Sequence, residues 1–263
     1  MPSRQPVTHA PGLPRTQSLA RAIALVRAVA GAPGGTSTAA LARACELPVA
    51  TAARLLATLA DAGFVERAAD DDGWVVGYEL VRLVRAGDPH RALLTGARAP
   101  IERLAADVGE SAALVVPRPG PAMDVIAQVD APGLLGATNW VGRTFPLHAS
   151  AAGKVVLAAL GEDELAAWLA RERPERFTAQ TISAPDALRA ELARVREQGY
   201  AELADEHEPG LAGIAAGVPD AAGRLAAIVG ISGPTMRLGT ERRAALLPAL
   251  LDVARTLRAY ADG

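Results

Sequence analysis

Apolar residues recur every three or four positions along the first third of the chain. Further on they gather into short runs separated by breaks rich in glycine and proline. In residues 17–30, Leu19, Ile23, Val26 and Val29 fall at helical spacing and predict an amphipathic helix with one apolar face. Ala32-Pro33-Gly34-Gly35 ends it. Ser37 is an expected N-cap, since its short hydroxyl can accept from a first-turn amide, and a second helix follows through Cys45 with Leu41 and Ala42 inward. Glu46-Leu47-Pro48 breaks the pattern, and a third helix starts near Val49. In it Ala52, Leu55, Leu56 and Leu59 fall at i, i+3, i+4 and i+7, and Ala62-Gly63 closes it. Phe64-Val65-Glu66-Arg67 reads as a strand, Asp70-Asp71-Asp72-Gly73 as a turn and Trp74-Val75-Val76 as the returning strand.

Two short helices joined by a tight turn, the second with its own apolar stripe, are the sequence form of a helix-turn-helix, and a hairpin directly after it is a wing. The same elements also suit a module that binds protein, so the pattern alone leaves both open.

Residues 89–109 predict a joining helix, broken or kinked around Pro100. Strands follow at Ala112–Val116 and Met123–Val129, with the turn-forming Pro117-Arg118-Pro119-Gly120-Pro121 between them. Helices are expected at 151–160, 162–171 and 185–198. Strands come next at 200–203, 212–218 and 225–232, and a closing helix runs from about Thr240 to Tyr260. Antiparallel strands with segregated helices argue for an α+β domain.

Length and composition sharpen this picture only in part. A chain of 263 residues, half of them hydrophobic, can build two ordinary domains. A net charge of −2 does not announce a nucleic-acid binder, so any positive face must be local. Cys45 is the only cysteine, which excludes an intrachain disulfide and fits a reducing cytoplasm. No apolar run reaches the ~20 residues of a membrane span. Residues 1–16 lack the apolar segment of a secretory signal and read as a disordered lead. Lys154 is the only lysine among 27 lysines and arginines.

Patterns suggestive of catalysis fail on spacing. Gly153-Lys154 resembles the end of a phosphate-binding loop, but His148 stands where the opening glycine belongs and Val155 replaces Ser or Thr. Ser150 and Lys154 are four apart, whereas a Ser-x-x-Lys nucleophile needs three. His148, His207 and Asp205 could form a hydrolytic triad only by chance. No metal-ligand spacing appears around Cys45 or the histidines. The expectation is no catalytic residue, no metal and no cofactor. The alternative is a metabolite-binding or hydrolytic enzyme that uses the helical head for protein contacts.

TSTAALARACELPVATAARLLATLADAGFVER, followed by GWVVGYELVRLV, resembles the N-terminal domain of IclR-family transcription regulators. The match rests on Leu41-Ala42, Leu47-Pro48, Thr51, Arg54-Leu55-Leu56, Thr58-Leu59, Gly63 and Gly77. PLHASAAGKVVLAAL, EQGYA, the segment holding Glu206, GIAAGVPDAAG and ISGPTMRL then run in the order of that family's effector-binding domain. The resemblance implies an α+β protein: a winged helix-turn-helix over 17–88, a linker helix over 89–109 and a GAF-like effector-binding domain over 110–263. It also implies a cytoplasmic, ligand-responsive repressor of a metabolic operon, with double-stranded DNA and a small-molecule effector as partners. A homodimer, with tetramers beyond it, follows too, paired through helix 17–30 and the linker helix.

Carried over residue by residue, Ser37, Val49, Ala50, Thr51, Ala53 and Arg54 face DNA, with Arg67 in the wing near phosphates. The effector site is expected at Trp140, Ala151, Ala152, Asp205, Gly213, Gly230 and Ser232. This chain departs from the family in having Val49, Ala50 and Ala53 where polar side chains are common. Gly213 and Gly230 stand where certain relatives have Cys and Ser, and Leu203 where some have Asp. Base readout then falls to Arg54 and Thr51, with methyl contacts to thymine from the alanines, and the pocket is expected to take a ligand larger or more apolar than a two- or three-carbon keto acid such as glyoxylate or pyruvate. Trp140 is either a wall of that pocket or plain core.

Overall fold

The computed structural model describes residues 16–261 apart from 33, 69–72, 89, 131–138 and 144. The predicted lead, except Thr16, and the turn residues Asp70, Asp71 and Asp72 lie outside the described residues. The chain divides into two units, Met1–Asp88 and Pro89–Gly263.

In the first unit, α1 (Gln17–Ala30), α2 (Thr38–Ala44) and α3 (Val49–Asp61) precede a hairpin of β1 (Val65–Arg67) and β2 (Trp74–Val76), then α4 (Tyr78–Gly87). Ser37 caps α2 by accepting from the Ala40 amide. Leu25, Val29, Leu41, Ala42, Ala52, Leu56, Val65 and Trp74 form the core. The buried row of α1 differs from the predicted one. Leu25 and Val29 point inward and Val26 is half-buried, while Leu19 and Ile23 are exposed. The row containing Leu25 and Val29 is the one that meets α2, α3 and the hairpin. Helix α4 was not predicted from the pattern, and its Tyr78, Val81, Leu83 and Val84 are exposed, so no core-facing stripe marks it.

Antiparallel pairing of β1 with β2 places Val65 opposite Val76 and Arg67 opposite Trp74. At the hairpin base the chain folds tightly on itself. Gly77 donates to the Phe64 carbonyl and Glu79 to the Gly63 carbonyl. A side chain at Gly77 would lie 2.1 Å from that Gly63 oxygen.

The second unit opens with α5 (Arg91–Val108), followed by β3 (Ser111–Arg118) and β4 (Ala122–Val129). Helices α6 (Ala151–Ala158), α7 (Glu162–Glu172) and α8 (Pro185–Gln198) come next. The chain closes with β5 (Tyr200–Ala204), β6 (Leu211–Pro219), β7 (Leu225–Pro234) and α9 (Thr240–Leu257). All pairings in the five-stranded sheet β4-β3-β7-β6-β5 are antiparallel. Strand alternation sends Ala112, Leu114, Ile214 and Ile231 into one core with α5 and α9. It sends Val115, Val125, Leu203, Ala215 and Ile228 into the other core, with α6, α7 and α8.

Helix α5 is not broken at Pro100. It runs through the proline, and Leu93, Ala97, Ile101, Leu104 and Val108 join the first of these cores. Its apolar face therefore serves the sheet of its own unit. Gly96, on the same helix, lies under the Tyr260 ring, which a side chain there would meet at 2.4 Å.

Candidate functional site

Two features carry chemistry, one in each unit. In the first, α3 packs inward through Ala52 and Leu56 and leaves Val49, Ala50, Ala53, Arg54, Ala57 and Thr58 exposed. Thr51 is half-buried. Arg54 is the one basic side chain of α3. The Thr58 hydroxyl donates to the Arg54 carbonyl and so is turned back onto the helix. Of the other residues predicted to face DNA, Ser37 is exposed with its oxygen engaged as the α2 cap. Arg67 stands on the hairpin with its guanidinium 4.0 Å from the centre of the Trp74 ring. The Trp74 indole donates to the Thr38 hydroxyl, which ties hairpin to α2.

In the second unit a cavity lies between the sheet and the start of α6. It is bounded by Val115, Met123, Val125, Trp140, Phe145 and Leu203, among others. Six of the seven predicted effector residues line it: Trp140, Ala151, Ala152, Gly213, Gly230 and Ser232. Its volume is about 80 Å³, on a measure by which one water needs ~10–15 Å³. Among the described residues the wall carries two hydroxyl side chains, Ser150 and Ser232, beside the Trp140 indole. Ser150 caps α6 by accepting from the Gly153 amide at 3.1 Å, its carbonyl accepts from the Lys154 amide, and the Ala151 and Ala152 N–H groups are left without a partner within the helix. Trp140 is both wall and anchor. Its ring lies 4.1 Å from Phe145 and 6.2 Å from His207, and its amide donates to the Gln128 side chain.

Asp205 stands apart from the cavity. With φ +57° it forms the turn after β5, where its carboxylate accepts from the Gly210 amide and the Thr235 hydroxyl. His148, His207 and Asp205 make no hydrogen bond with one another among the described residues. His148 Nε2 pairs with the Glu175 carbonyl, and burial pushes its imidazole pKa down.

The two glycines in the cavity wall are not equivalent. At Gly230 a side chain would meet the Ile214 oxygen at 3.5 Å, an ordinary contact. At Gly213 it would lie 2.6 Å from the Ile231 carbonyl oxygen. The missing side chain at 213 therefore reflects close backbone approach, whereas that at 230 leaves real room.

A charge cluster that the sequence reading passed over lies behind α6. Lys154 is 1% exposed, and its ammonium donates to Glu206 at 2.6 Å, to the Glu202 carbonyl at 3.0 Å and to Glu191 at 3.4 Å. The second Glu206 oxygen is buried with no partner among the described residues. Burial pushes the Glu206 pKa up, and the pull of Lys154 opposes it. A lone lysine in a chain that otherwise uses arginine was the available signal. A compact ammonium on a flexible stem suits this confined corner better than a planar guanidinium. Among the described residues no group of His, Cys, Asp or Glu could hold a metal ion.

Comparison with known proteins agrees in both halves. The IclR helix-turn-helix domain matches residues 18–69, and the bacterial transcriptional regulator IclR C-terminal domain matches residues 89–259. The HTH-type transcriptional regulator BhcR of Paracoccus denitrificans (strain Pd 1222) is 34% identical over 241 residues, 92% of this chain and 86% of that one. The HTH-type transcriptional repressor AllR of Salmonella typhi is 33% identical over 226 residues, 86% of this chain and 83% of that one. Among solved structures, a transcriptional regulator from Rhodococcus sp. RHA1 superposes with a TM-score of 0.78 at 30% identity. The match covers 94% of this chain and 98% of that chain.

Proposed function

The chain belongs to the IclR family of bacterial transcriptional regulators, and on that premise we propose that it represses a metabolic operon until an apolar or aromatic carboxylate fills the cavity beside α6. It is a DNA-binding regulator with an effector domain, and its family is not one of enzymes. The observation that carries the ligand class is the wall of the cavity. Val115, Met123, Val125, Trp140, Phe145 and Leu203 bury a hydrocarbon body, while the start of α6 supplies amides and a favourable dipole for one anionic group. Ser232 offers a single further hydroxyl. Among the described residues no charged side chain lines that wall to repay the desolvation of a second charged group.

Calorimetry on the full chain tests this. Benzoate, as a probe, is expected to bind at least about tenfold more tightly than glyoxylate or pyruvate, a difference of ~1.4 kcal/mol. Gly230→Ser, which the geometry accommodates, is expected to narrow that ratio by filling the cavity with a hydroxyl. Tighter binding of glyoxylate than of benzoate by the unaltered chain overturns the assignment.

The reading includes a homodimer in the bacterial cytoplasm that reads two half-sites. What supports pairing is the apolar surface left on α1 and α4: Leu19 is 61% exposed and Val84 62%, with Ile23, Tyr78 and Val81 beside them in kind. The predicted contribution of the 89–109 helix is weaker, because the apolar side of α5 packs on its own sheet. Sedimentation is expected to give a dimer for the unaltered chain and a monomer for a Leu19→Glu, Val84→Glu double variant. A double variant that still sediments as the dimer removes Leu19 and Val84 from the interface.

A further inference from the structure

We propose that α3 recognises thymine by its C5-methyl group, so that the operator places thymines against Val49, Ala50 and Ala53. This rests on the DNA-binding reading and adds the class of base that the helix selects.

The surface of α3 is unusual for a helix that reads base edges. Over its first two turns the exposed side chains are Val49, Ala50, Ala53 and Arg54. Val49 is 54% exposed and is not part of the core of its unit. Arg54 has no hydrogen-bond or ion-pair partner for its guanidinium among the described residues, and it alone brings charge to this face. Thr51 is half-buried, and the Thr58 hydroxyl is occupied by the Arg54 carbonyl.

In the major groove each base pair presents donors and acceptors, and the one apolar group among them is the thymine methyl. An apolar side chain can therefore select in only one positive way, by burying that methyl. It also selects negatively, since it leaves a facing donor or acceptor of any other base without a partner. Alanine places its methyl directly on the helix backbone. Contact through Ala50 and Ala53 thus needs the helix to lie close to the base edges, and Val49 at the first turn has the extra branch to span a slightly wider gap. Arg54 then supplies the one long polar contact, of the kind that pairs with guanine.

Replacing thymine with uracil removes the methyl and keeps every hydrogen-bonding group. The full-length chain is first used to select duplexes from a random-sequence library at moderate salt. The recovered duplexes are then resynthesised with deoxyuridine for thymidine, at all positions and singly. Loss of one contacted methyl is expected to weaken binding about fourfold, the equivalent of one buried methylene, so full replacement weakens it by more than tenfold. The single-site effects are expected at a few positions in each half-site. In Val49→Ala the ratio of thymidine to deoxyuridine affinity is expected to fall. That ratio is read within one protein, and a loss of stability leaves it unmoved.

Selected duplexes that bind equally well with either base overturn the proposal while leaving DNA binding intact. A chain that enriches no duplex, and whose binding to DNA does not respond to salt, overturns the DNA-binding reading and this proposal with it.

Discussion

Lys154→Met is expected to cost the second unit about 3–5 kcal/mol, the penalty for leaving buried carboxylates without their cation. The ammonium bonds Glu206 and Glu191 from a position of almost no exposure, and Glu206 already has one oxygen without a partner. Glu191 keeps Arg194 as a second partner, so most of the loss falls on Glu206. Denaturant unfolding measures the cost, and pH identifies its origin. In the native chain burial holds the Glu206 pKa above the ordinary carboxyl range, with Lys154 pulling it back. Without Lys154 the pKa rises further. An acid whose folded pKa is raised binds its proton more readily in the folded state than in the unfolded one. The cost of burying its charge is then present above the folded pKa and is relieved as pH falls through it. The stability deficit of the variant relative to the native chain is expected to be largest at neutral pH and to shrink as pH falls toward the ordinary carboxyl range. A deficit independent of pH would mean that lost packing, not uncompensated charge, is responsible. Adding Glu206→Gln to Lys154→Met is expected to recover part of the loss, which is the non-additivity of two groups in contact.

Gly77→Ala is expected to act on the other unit, and chiefly on DNA affinity. The new methyl would lie 2.1 Å from the Gly63 oxygen and 2.8 Å from the Gly63 carbonyl carbon. Both obstacles are backbone, and no side chain can swing aside to admit it. The hairpin base must open, and the bonds from Gly77 to Phe64, from Glu79 to Gly63 and from the Tyr78 amide to the Glu66 carboxylate are strained or lost. Overpacking of this kind costs about 1–3 kcal/mol. Since the hairpin carries Arg67 and follows α3 directly, gel-shift affinity for selected duplexes is expected to fall about tenfold or more. Binding of benzoate by the second unit is expected to be unchanged. An unaltered gel shift would show that the hairpin base tolerates opening and does not set the position of α3.

Apart from α4, the main elements of both units were legible in the sequence because their cues are local. Ser37, Pro48 and Gly63 punctuate the helices, and Ala52, Leu56 and the alternating strand residues mark their inward faces. What escaped was set by distant packing. The inward row of α1 depends on where α2, α3 and the hairpin lie, and Leu19 fits a helical stripe whether or not anything covers it. Helix α4 has no apolar stripe turned to a core, so periodicity could not find it. Six positions of the cavity wall were anticipated, five of them through the resemblance, but its hydrocarbon side at Val115, Met123, Val125 and Phe145 was not, and physical spacing corrected the interpretation of the glycines. Gly213 looked like vacated space, whereas the β6–β7 backbones close on it; Gly230 does leave space. Asp205 has the chemistry of a ligand-binding group, but its left-handed turn directs the carboxylate to Gly210 and Thr235. The partners of Lys154 lie 37 and 52 residues away, beyond the reach of any local motif.

The burial of Lys154 has one more consequence, for proteolysis. A protease that cuts only after lysine has a single site in the whole chain, the Lys154–Val155 bond inside α6. Cleavage there requires that helix to unwind and leave the sheet, so the native chain resists it while an opened second unit yields two fragments. When opening and closing are fast relative to cutting, the rate reports the equilibrium population of the open form. An effector that fills the adjacent cavity and binds only the closed form slows the cut by the factor 1 + [L]/Kd. The second unit thus carries a built-in reporter of its own occupancy, which needs no label and no operator DNA.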